Sequence, residues 1–353
     1  MISKEAYDKS VELCTQAVEL FTSGMVDEAI PLYEEAIKYH PWYALYWSNL
    51  GAAYLEKGEF GKARNMFETA LYMGFDLAAY HISELSLYQG NEWAYLGHKW
   101  ASIAMGTWYE NSWSGESLHK KKVLVANDQG HGDFIQHLRN IHWVREYGPA
   151  SVDVAVMPCM QSLVKWYIED LGFNVVYGVN PTNYDYVCDI SMITGRRLAA
   201  SAEIPYLNTI KWVSKYADSK FHVGLCWKGN NDYGQDWKRS IHDENLLKPI
   251  VTMDNVVIHC LHQSEEISDF EKLAEHIAAV DVVISVDTAV AHLAGAMDKE
   301  CWLILPWIPD PRWGLKGDRS RYYPSLRLFR QNKFKDWQSV IDNVAVELKN
   351  RIG

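Results

Sequence analysis

The sequence lacks several features that would narrow its function at once. No apolar run reaches the ~18–20 residues of a membrane-spanning helix, and the first residues, MISKEAYDKSVELC, have no apolar signal-peptide core. None of the six cysteines forms a CxxC pair, and most lie in apolar, strand-like segments. This pattern indicates reduced, buried thiols rather than a disulfide framework. We therefore expect a cytoplasmic protein with no membrane span.

Basic residues are also scarce. The chain has 34 Lys and Arg against 45 Asp and Glu, and its net charge is -11. Proteins that mainly bind nucleic acid usually carry a basic excess, so the balance disfavours nucleic acid as the main partner without excluding a local basic patch. The 353 residues predict two or three domains.

The first third of the chain repeats with a period of 34 residues. The aligned pairs are Leu20 and Tyr54, Gly24 and Gly58, Ala29 and Ala63, Tyr33 and Phe67, and Ala36 and Ala70. Small residues let two helices touch, large ones fill the space between them, and the glycine opens the turn. With WSNLGAAYLEKGEFGKARNMFETAL as its clearest copy, the pattern resembles the tetratricopeptide repeat. A degenerate third unit is predicted as a helical pair over about residues 78–105.

These repeats predict an all-helical domain over residues 1–110. Such an array presents a concave face to peptides or to another domain, but an array this short can also serve only to brace the rest of the chain. Both roles stay open. The polar segment NSWSGESLHKKK predicts a linker over residues 111–122.

After this segment, strand and helix patterns alternate. Strands are predicted at VLVAND, VDVAVMP, FNVVYG and YDYVCDI and, beyond a pause near Pro205, at FHVGLCWKG, VVIHCL, DVVISVD, ECWLILP and LRLFRQ. Alternation indicates α/β domains with parallel sheets, here over 123–215 and 216–353, the second with a closing helix. Ligands in such folds bind outside the carboxyl ends of strands, so we expect the site in the cleft between the two sheets.

The first candidate motif is VLVANDQGHGDFIQ, where a strand passes into a helix. Gly130 and Gly132 allow ligands to approach the backbone, and Asp133 can accept a proton from an acceptor hydroxyl or cap the helix. His131 either lines the cleft or acts as an acid–base partner.

The second motif, VISVDTAVAHLAGAM, begins a helix at Asp287 and Thr288. The amide groups of a helix start bind phosphate well, Thr288 is a good capping residue, and Ala289 permits close approach. His292, one turn further on, can reach the same ligand.

The third motif is GLCWKGNNDYGQDWKRSI. Three cations follow the strand end, Lys228, Lys238 and Arg239, and they could neutralise a diphosphate. Each of them alone would more often be a solvated surface charge.

Together with WLILP, PRWG and YPSLRLFRQ, these motifs resemble the heptosyltransferase-like glycosyltransferases, in the branch that carries N-terminal tetratricopeptide repeats. The domain order is more loosely similar to that of O-GlcNAc transferase. The resemblance implies a GT-B fold of two Rossmann-like halves and a nucleotide-diphosphate sugar as co-substrate, held mainly by the C-terminal half. It also implies inverting transfer without an essential metal or other cofactor.

The resemblance also implies roles for individual residues. Asp133 would be the general base, and Asp287 would hold donor-sugar hydroxyls. Thr288 and the amide of Ala289 would hold the diphosphate. The loop that closes on it contributes Lys228, Gly229, Asn230, Arg239 and Ser240.

Three features depart from the family. His131 replaces an apolar residue, Lys228 stands where a small residue is common, and the segment 189–205 is short. The short segment lies in the acceptor half, so the identity of the acceptor does not carry over.

The interpretation that follows is a metal-independent, inverting hexosyl-, heptosyl- or pentosyltransferase. Its acceptor hydroxyl would belong to a glycan or to a protein recruited by the repeats. Two alternatives stay open: a catalytically silent peptide-binding scaffold, and a transferase that acts on a modified DNA base. The sequence leaves the sugar and the nucleotide open.

Overall fold

The computed structural model describes residues 2–91, 109–127, 129–197, 204–207, 216, 218–230, 233–262 and 267–353. Its first elements are the helices α1 (Lys4–Thr22), α2 (Val26–Tyr39), α3 (Ala44–Glu56), α4 (Phe60–Tyr72) and α5 (Leu77–Leu87). The repeat period is visible in the turns, because Gly24 and Gly58 both adopt a left-handed conformation with φ of 74° and 75°. Of the predicted third unit the structure describes α5, and residues 92–105 lie outside the described residues.

Equivalent residues of the two repeats form one helical core. The aligned residues with at most 1% exposure are Ala29, Tyr33, Ala36, Ala63, Phe67 and Ala70. Small residues at the helix crossings and large rings between them therefore have the places that the sequence pattern predicts.

The first α/β half contains four parallel strands in the order β3-β2-β1-β4. They are β1 (Lys122–Ala126), β2 (Ser151–Ala155), β3 (Asn174–Val176) and β4 (Tyr186–Asp189). The accompanying helices are α6 (His131–Leu138), α7 (Pro158–Asp170) and α8 (Ile190–Arg197), with 3-10 turns at Ile141–Tyr147 and Pro181–Asn183.

The second half contains five parallel strands in the order β6-β5-β7-β8-β9. They are β5 (Phe221–Cys226), β6 (Val256–Cys260), β7 (Val282–Val286), β8 (Cys301–Leu305) and β9 (Leu326–Arg330). Its helices are α9 (Asp236–Arg239), α10 (Lys248–Val251), α11 (Phe270–Ala279), α12 (Ala289–Ala296) and α13 (Trp337–Ile352), with 3-10 turns at Glu244–Leu247 and Pro311–Trp313. Strands β7 and β8 are buried along their whole length, as expected of parallel strands covered on both faces. The predicted fold class, helical repeats followed by two α/β halves with parallel sheets, is confirmed.

The predicted linker packs into the first half. Ser112 forms a parallel bridge with Val187 at the edge of the sheet, and Trp113 and Leu118 are 1% and 0% exposed in the core. The predicted domain boundaries stay predictions, and residues 198–203 and 208–215 beside the last of them lie outside the described residues. No helix in the described ranges combines the length and the apolar character that crossing a membrane demands.

Each sheet has one point where the strand order reverses, between β1 and β4 in the first and between β5 and β7 in the second. Ligands of open α/β sheets bind at such points, outside the carboxyl ends of the strands. The loop after β1 carries the first sequence motif, and the loops after β5 and β7 carry the other two.

Candidate active site

Two helix starts lie side by side where the halves meet. Helix α6 of the first half packs against α12 of the second. A Cβ atom added to Gly132 would lie 2.7 Å from Cδ2 of His292 and 3.5 Å from Cα of Ala289. Glycine at 132 is therefore needed for close packing between the halves, and it brings Asp133 next to the second motif.

Asp133 lies in the first turn of α6. Its Oδ2 atom accepts a hydrogen bond from the amide of Gly130 at 3.1 Å. Its Oδ1 atom is 2.6 Å from a terminal nitrogen of Arg312, in an ion pair whose side chains are 19% and 13% exposed. The carboxylate thus neutralises the start of its own helix and also contacts the second half.

Arg312 is the centre of this contact. Asp310 binds its guanidinium through both carboxylate oxygens, at 2.7 Å and 3.1 Å, and its Nη1 donates to Oε1 of Gln136 at 3.0 Å. Burial opposes ionisation of Asp310, but Arg312 outweighs this effect and lowers the pKa of that carboxyl. Arg312 therefore connects the two halves at the site.

Asp287 and His292 lie beside this arginine. Burial, reinforced by the Asp310 carboxylate, raises the pKa of Asp287. Burial, reinforced by Arg312, lowers the pKa of His292 to about 3, so its ring is neutral. Nδ1 of His292 lies 3.0 Å from the hydroxyl of Tyr323. The histidine therefore adds no positive charge for a phosphate, and it packs the two halves together.

The start of α12 differs from the expectation for Thr288. Thr288 occupies the N-cap position, but in the described structure its hydroxyl makes no capping hydrogen bond. The hydroxyl lies 3.2 Å from Oγ of Ser285 and 3.6 Å from Sγ of Cys226 instead. The prediction that Thr288 caps this helix through its side chain is therefore wrong, and the hydroxyl contacts residues of two neighbouring strands instead.

The loop after β5 folds back on itself and delivers Arg239 to the second motif. The amide of Gly229 donates to the hydroxyl of Ser240 at 2.8 Å. Arg239 donates through Nε to Asp236 at 3.0 Å and through Nη1 to the carbonyl of Asp287 at 3.2 Å. A Cβ atom at Gly229 would lie 2.6 Å from Nη2 of Arg239, so a larger residue here would displace the guanidinium.

The structure separates the three cations of the third motif. Arg239 reaches the site. Lys228 is 43% exposed at the strand end, with its ammonium 3.6 Å from Glu244. Lys238 points away from the site and binds Glu56 of the repeats at 2.7 Å. Asn230 is exposed in the same loop.

His131 is the first residue of α6. It is exposed, and partial desolvation lowers its pKa. Its Nε2 atom is 3.6 Å from Sγ of Cys159. The centroid of its ring lies 5.1 Å from that of Phe270, with an angle of 44° between the ring planes. This position fits the cleft-lining role better than that of a partner to Asp133.

Sequence reasoning missed Arg312, Asp310 and Tyr323. The signal was present, since PRWG contains Arg312 and contributes to the family resemblance, but no spacing rule connects it to Asp133. The described residues contain no group of three His, Cys, Asp or Glu side chains arranged as metal ligands. Independence from metal stays a prediction.

Comparison with known proteins gives both a family match and similar folds. The tetratricopeptide repeat family model matches residues 20–83, which confirms that resemblance. No curated protein matches the chain. E. coli heptosyltransferase WaaC with ADP-2-deoxy-2-fluoro heptose is 13% identical, with a TM-score of 0.44 over 65% of this chain and 99% of its own.

Two further solved structures are similar. The dodecameric iron-containing heptosyltransferase TibC of enterotoxigenic E. coli, in complex with ADP-D-beta-D-heptose, is 8% identical, with a TM-score of 0.47 over 67% of this chain and 79% of its own. A mutant of the Thermobaculum terrenum O-GlcNAc transferase is 11% identical and covers 99% of this chain and 91% of its own, with a TM-score of 0.34. At these values the likeness carries no argument about chemistry, and the case for a function rests on the geometry of the site.

Proposed function

We propose that the chain is an inverting glycosyltransferase that moves a sugar from a nucleotide-diphosphate sugar to an acceptor hydroxyl. The observation that carries the proposal is the pairing of two unlike helix starts where the halves meet. The start of α6 holds a carboxylate, Asp133, whereas the start of α12 has no side-chain cap from Thr288, the described N-cap residue. A carboxylate can accept a proton, and an uncapped helix start can bind an anion.

The donor lies in the second half. Its diphosphate binds at the start of α12, where the amide of Ala289 and the helix dipole provide positive potential. Arg239, which donates to the carbonyl of Asp287, adds a charge-assisted contact to the diphosphate, and Lys228 supplies a more exposed cation. As the glycosidic bond breaks, the negative charge that develops on the leaving diphosphate is stabilised by these groups. The scheme needs no metal.

The acceptor approaches from the first half. Asp133 accepts the proton of the acceptor hydroxyl while that oxygen attacks the anomeric carbon from the side opposite the leaving group. The ion pair with Arg312 requires the ionised carboxylate, which is the form that can accept a proton. Gly130 leaves room for the acceptor beside the backbone, and His131 lines its path. The acceptor hydroxyl belongs to a glycan or to a protein.

A nucleotide-sugar screen tests this proposal directly. Thermal unfolding is followed with ADP-, GDP- and UDP-sugars, without added metal and with chelator present. A donor at 100-fold excess over its Kd stabilises the fold by about 2.7 kcal/mol. We expect one nucleotide class to raise the unfolding temperature and to be hydrolysed slowly. Absence of a shift with all three classes, or binding that returns only with manganese or magnesium, would contradict it.

A further inference from the structure

The equivalent turns of the two repeats both touch the second α/β half. A Cβ atom added at Gly24 would lie 2.9 Å from a ring carbon of Trp237, and one at Gly58 would lie 3.5 Å from Cδ1 of Ile308. Trp237 precedes Lys238 and Arg239 in the loop after β5. Ile308 lies four residues before Arg312 in the loop after β8. The repeat period therefore places successive turns against the two arginine-bearing loops.

The first of these loops is held by an aromatic contact and a buried ion pair. The ring of Trp237 meets that of Phe21 edge-on, with centroids 5.8 Å apart. Its neighbour Lys238 donates to Glu56 of α3 at 2.7 Å, and the two side chains are only 18% and 7% exposed. The next residue is Arg239, whose guanidinium reaches the carbonyl of Asp287. Adjacent residues of one short helix thus bind the repeats and the site.

The second loop is held by Tyr88, which directly follows the last described helix of the repeats. The hydroxyl of Tyr88 donates to the carbonyl of Pro309 at 2.7 Å, and its ring lies 5.2 Å from that of Phe60. Asp310 follows at once and binds Arg312, which pairs with Asp133. A second chain of contacts therefore runs from the repeats to the site.

We propose that the tetratricopeptide helices position the diphosphate-binding loop, with Glu56 and Lys238 as positioning residues for Arg239. The inference rests on the proposed function and extends it, because it couples the repeats to donor binding and not only to acceptor recruitment. Irregular loops lose conformational entropy when they are ordered. A buried ion pair is directional, and removal of one partner leaves the other charge uncompensated. Docking on the repeats therefore keeps Arg239 in place before the donor arrives.

The test measures Kd for ADP, GDP and UDP by calorimetry, in the full chain without metal, and continues with the tightest binder. Glu56→Met and Lys238→Met should each weaken its binding about tenfold, because Arg239 loses its support. The charge-swapped double variant Glu56→Lys with Lys238→Glu should recover most of the affinity. Glu56→Met also separates positioning from direct contact, since Lys238 acting on the phosphate itself would leave Glu56→Met binding as well as the unmodified chain.

A matched control removes a contact inside the repeats. The hydroxyl of Tyr54 donates to Glu34 at 2.7 Å between repeat helices. Tyr54→Phe should lower the unfolding temperature and leave Kd unchanged. If any loss of stability in the repeats weakened nucleotide binding, Tyr54→Phe would weaken it as well. If a single variant fails to fold by circular dichroism, the Kd of the charge-swapped double variant tests the positioning role instead.

Unchanged Kd in both single variants, loss in Lys238→Met alone, or a folded double variant that still binds weakly would each overturn the positioning role. Absence of binding by the unmodified chain would instead contradict the proposed function.

Discussion

Each α/β half begins a helix beside the point where its strand order reverses, and the positive ends of these two helices differ in how they are capped. In the first half, Asp133 accepts a hydrogen bond from the amide of Gly130 and so occupies the helix start with its own carboxylate. In the second half, Thr288 makes no capping hydrogen bond in the described structure. The two helix starts lie side by side, since a Cβ atom added to Gly132 would lie 2.7 Å from Cδ2 of His292.

This difference assigns a separate task to each half. A helix start that already carries a carboxylate repels a further anion, so a diphosphate is excluded from α6. The carboxylate remains where an acceptor hydroxyl can reach it. A start that lacks a charged cap leaves its amide groups and its dipole for a ligand. In the proposed reaction, the same local fold therefore supplies a proton acceptor in one half and an anion site in the other.

Replacement of the carboxylate should have the largest effect. Asp133→Asn keeps the shape and removes the proton acceptor, and loss of general-base catalysis costs ~10²–10⁴ in rate. The Kd of the donor should scarcely change, because the proposed donor site lies in the other half. Single-turnover rates beside calorimetry measure both quantities. His131→Gln is the matched control and should keep most of the rate. Near-normal turnover in Asp133→Asn would make His131 or another carboxylate the base.

Removal of the arginine on the opposite side should act on affinity. Arg239→Ala eliminates a charged contact worth ~1.5–3 kcal/mol, so donor binding should weaken about ten- to hundredfold, with a further loss of turnover if the contact tightens in the transition state. Asp236 is 3% exposed and loses its partner, so unfolding is monitored in parallel. Arg239→Lys keeps the charge and should lose less affinity. An unchanged Kd in Arg239→Ala would direct the search to Lys228.

The sequence predicts the elements that carry the two helix starts but not all of their contacts. Each of the nine strand runs and the 34-residue period follow from local patterns, and all appear in the structure. Glycine and aspartate at a strand end indicate a ligand-binding site, because glycine lets a ligand approach the backbone and aspartate can bind it. The roles of Asp133, Arg239 and the other site residues remain predictions that the variants above test.

The pairing of charges could not be predicted. Lys238 binds Glu56, a residue 182 positions away, and Arg312 meets Asp133 across the cleft. Such pairs depend on how finished domains dock, and no periodicity within one element encodes that arrangement. The capping expectation for Thr288 failed for a related reason, because its partners Ser285 and Cys226 lie on two neighbouring strands.

The histidines at the two helices should respond differently to acid. The pKa of His292 is about 3 in the fold against 6.5 for an unperturbed histidine. A lowered pKa contributes stability that is complete above 6.5 and is lost as pH falls toward 3. Between pH 7 and pH 5 the loss should be about 2 kcal/mol. His292→Gln should flatten the pH dependence of the free energy of unfolding by that amount, whereas the exposed His131 should contribute less. Equal slopes in the parent chain and His292→Gln would refute the burial argument.

The smallest expected effect comes from making the second helix start resemble the first. Thr288→Asp places a carboxylate at the N-cap of α12, where capping and the dipole together should stabilise the fold by ~0.5–1 kcal/mol. The same carboxylate should repel the diphosphate and weaken donor binding about tenfold. Thr288→Asn caps without charge, so it should gain stability and keep its affinity. Calorimetry and thermal unfolding of both variants separate charge from shape. If Thr288→Asp binds donor as well as Thr288→Asn does, the anion does not lie at this helix start, and the division of tasks between the halves fails with it.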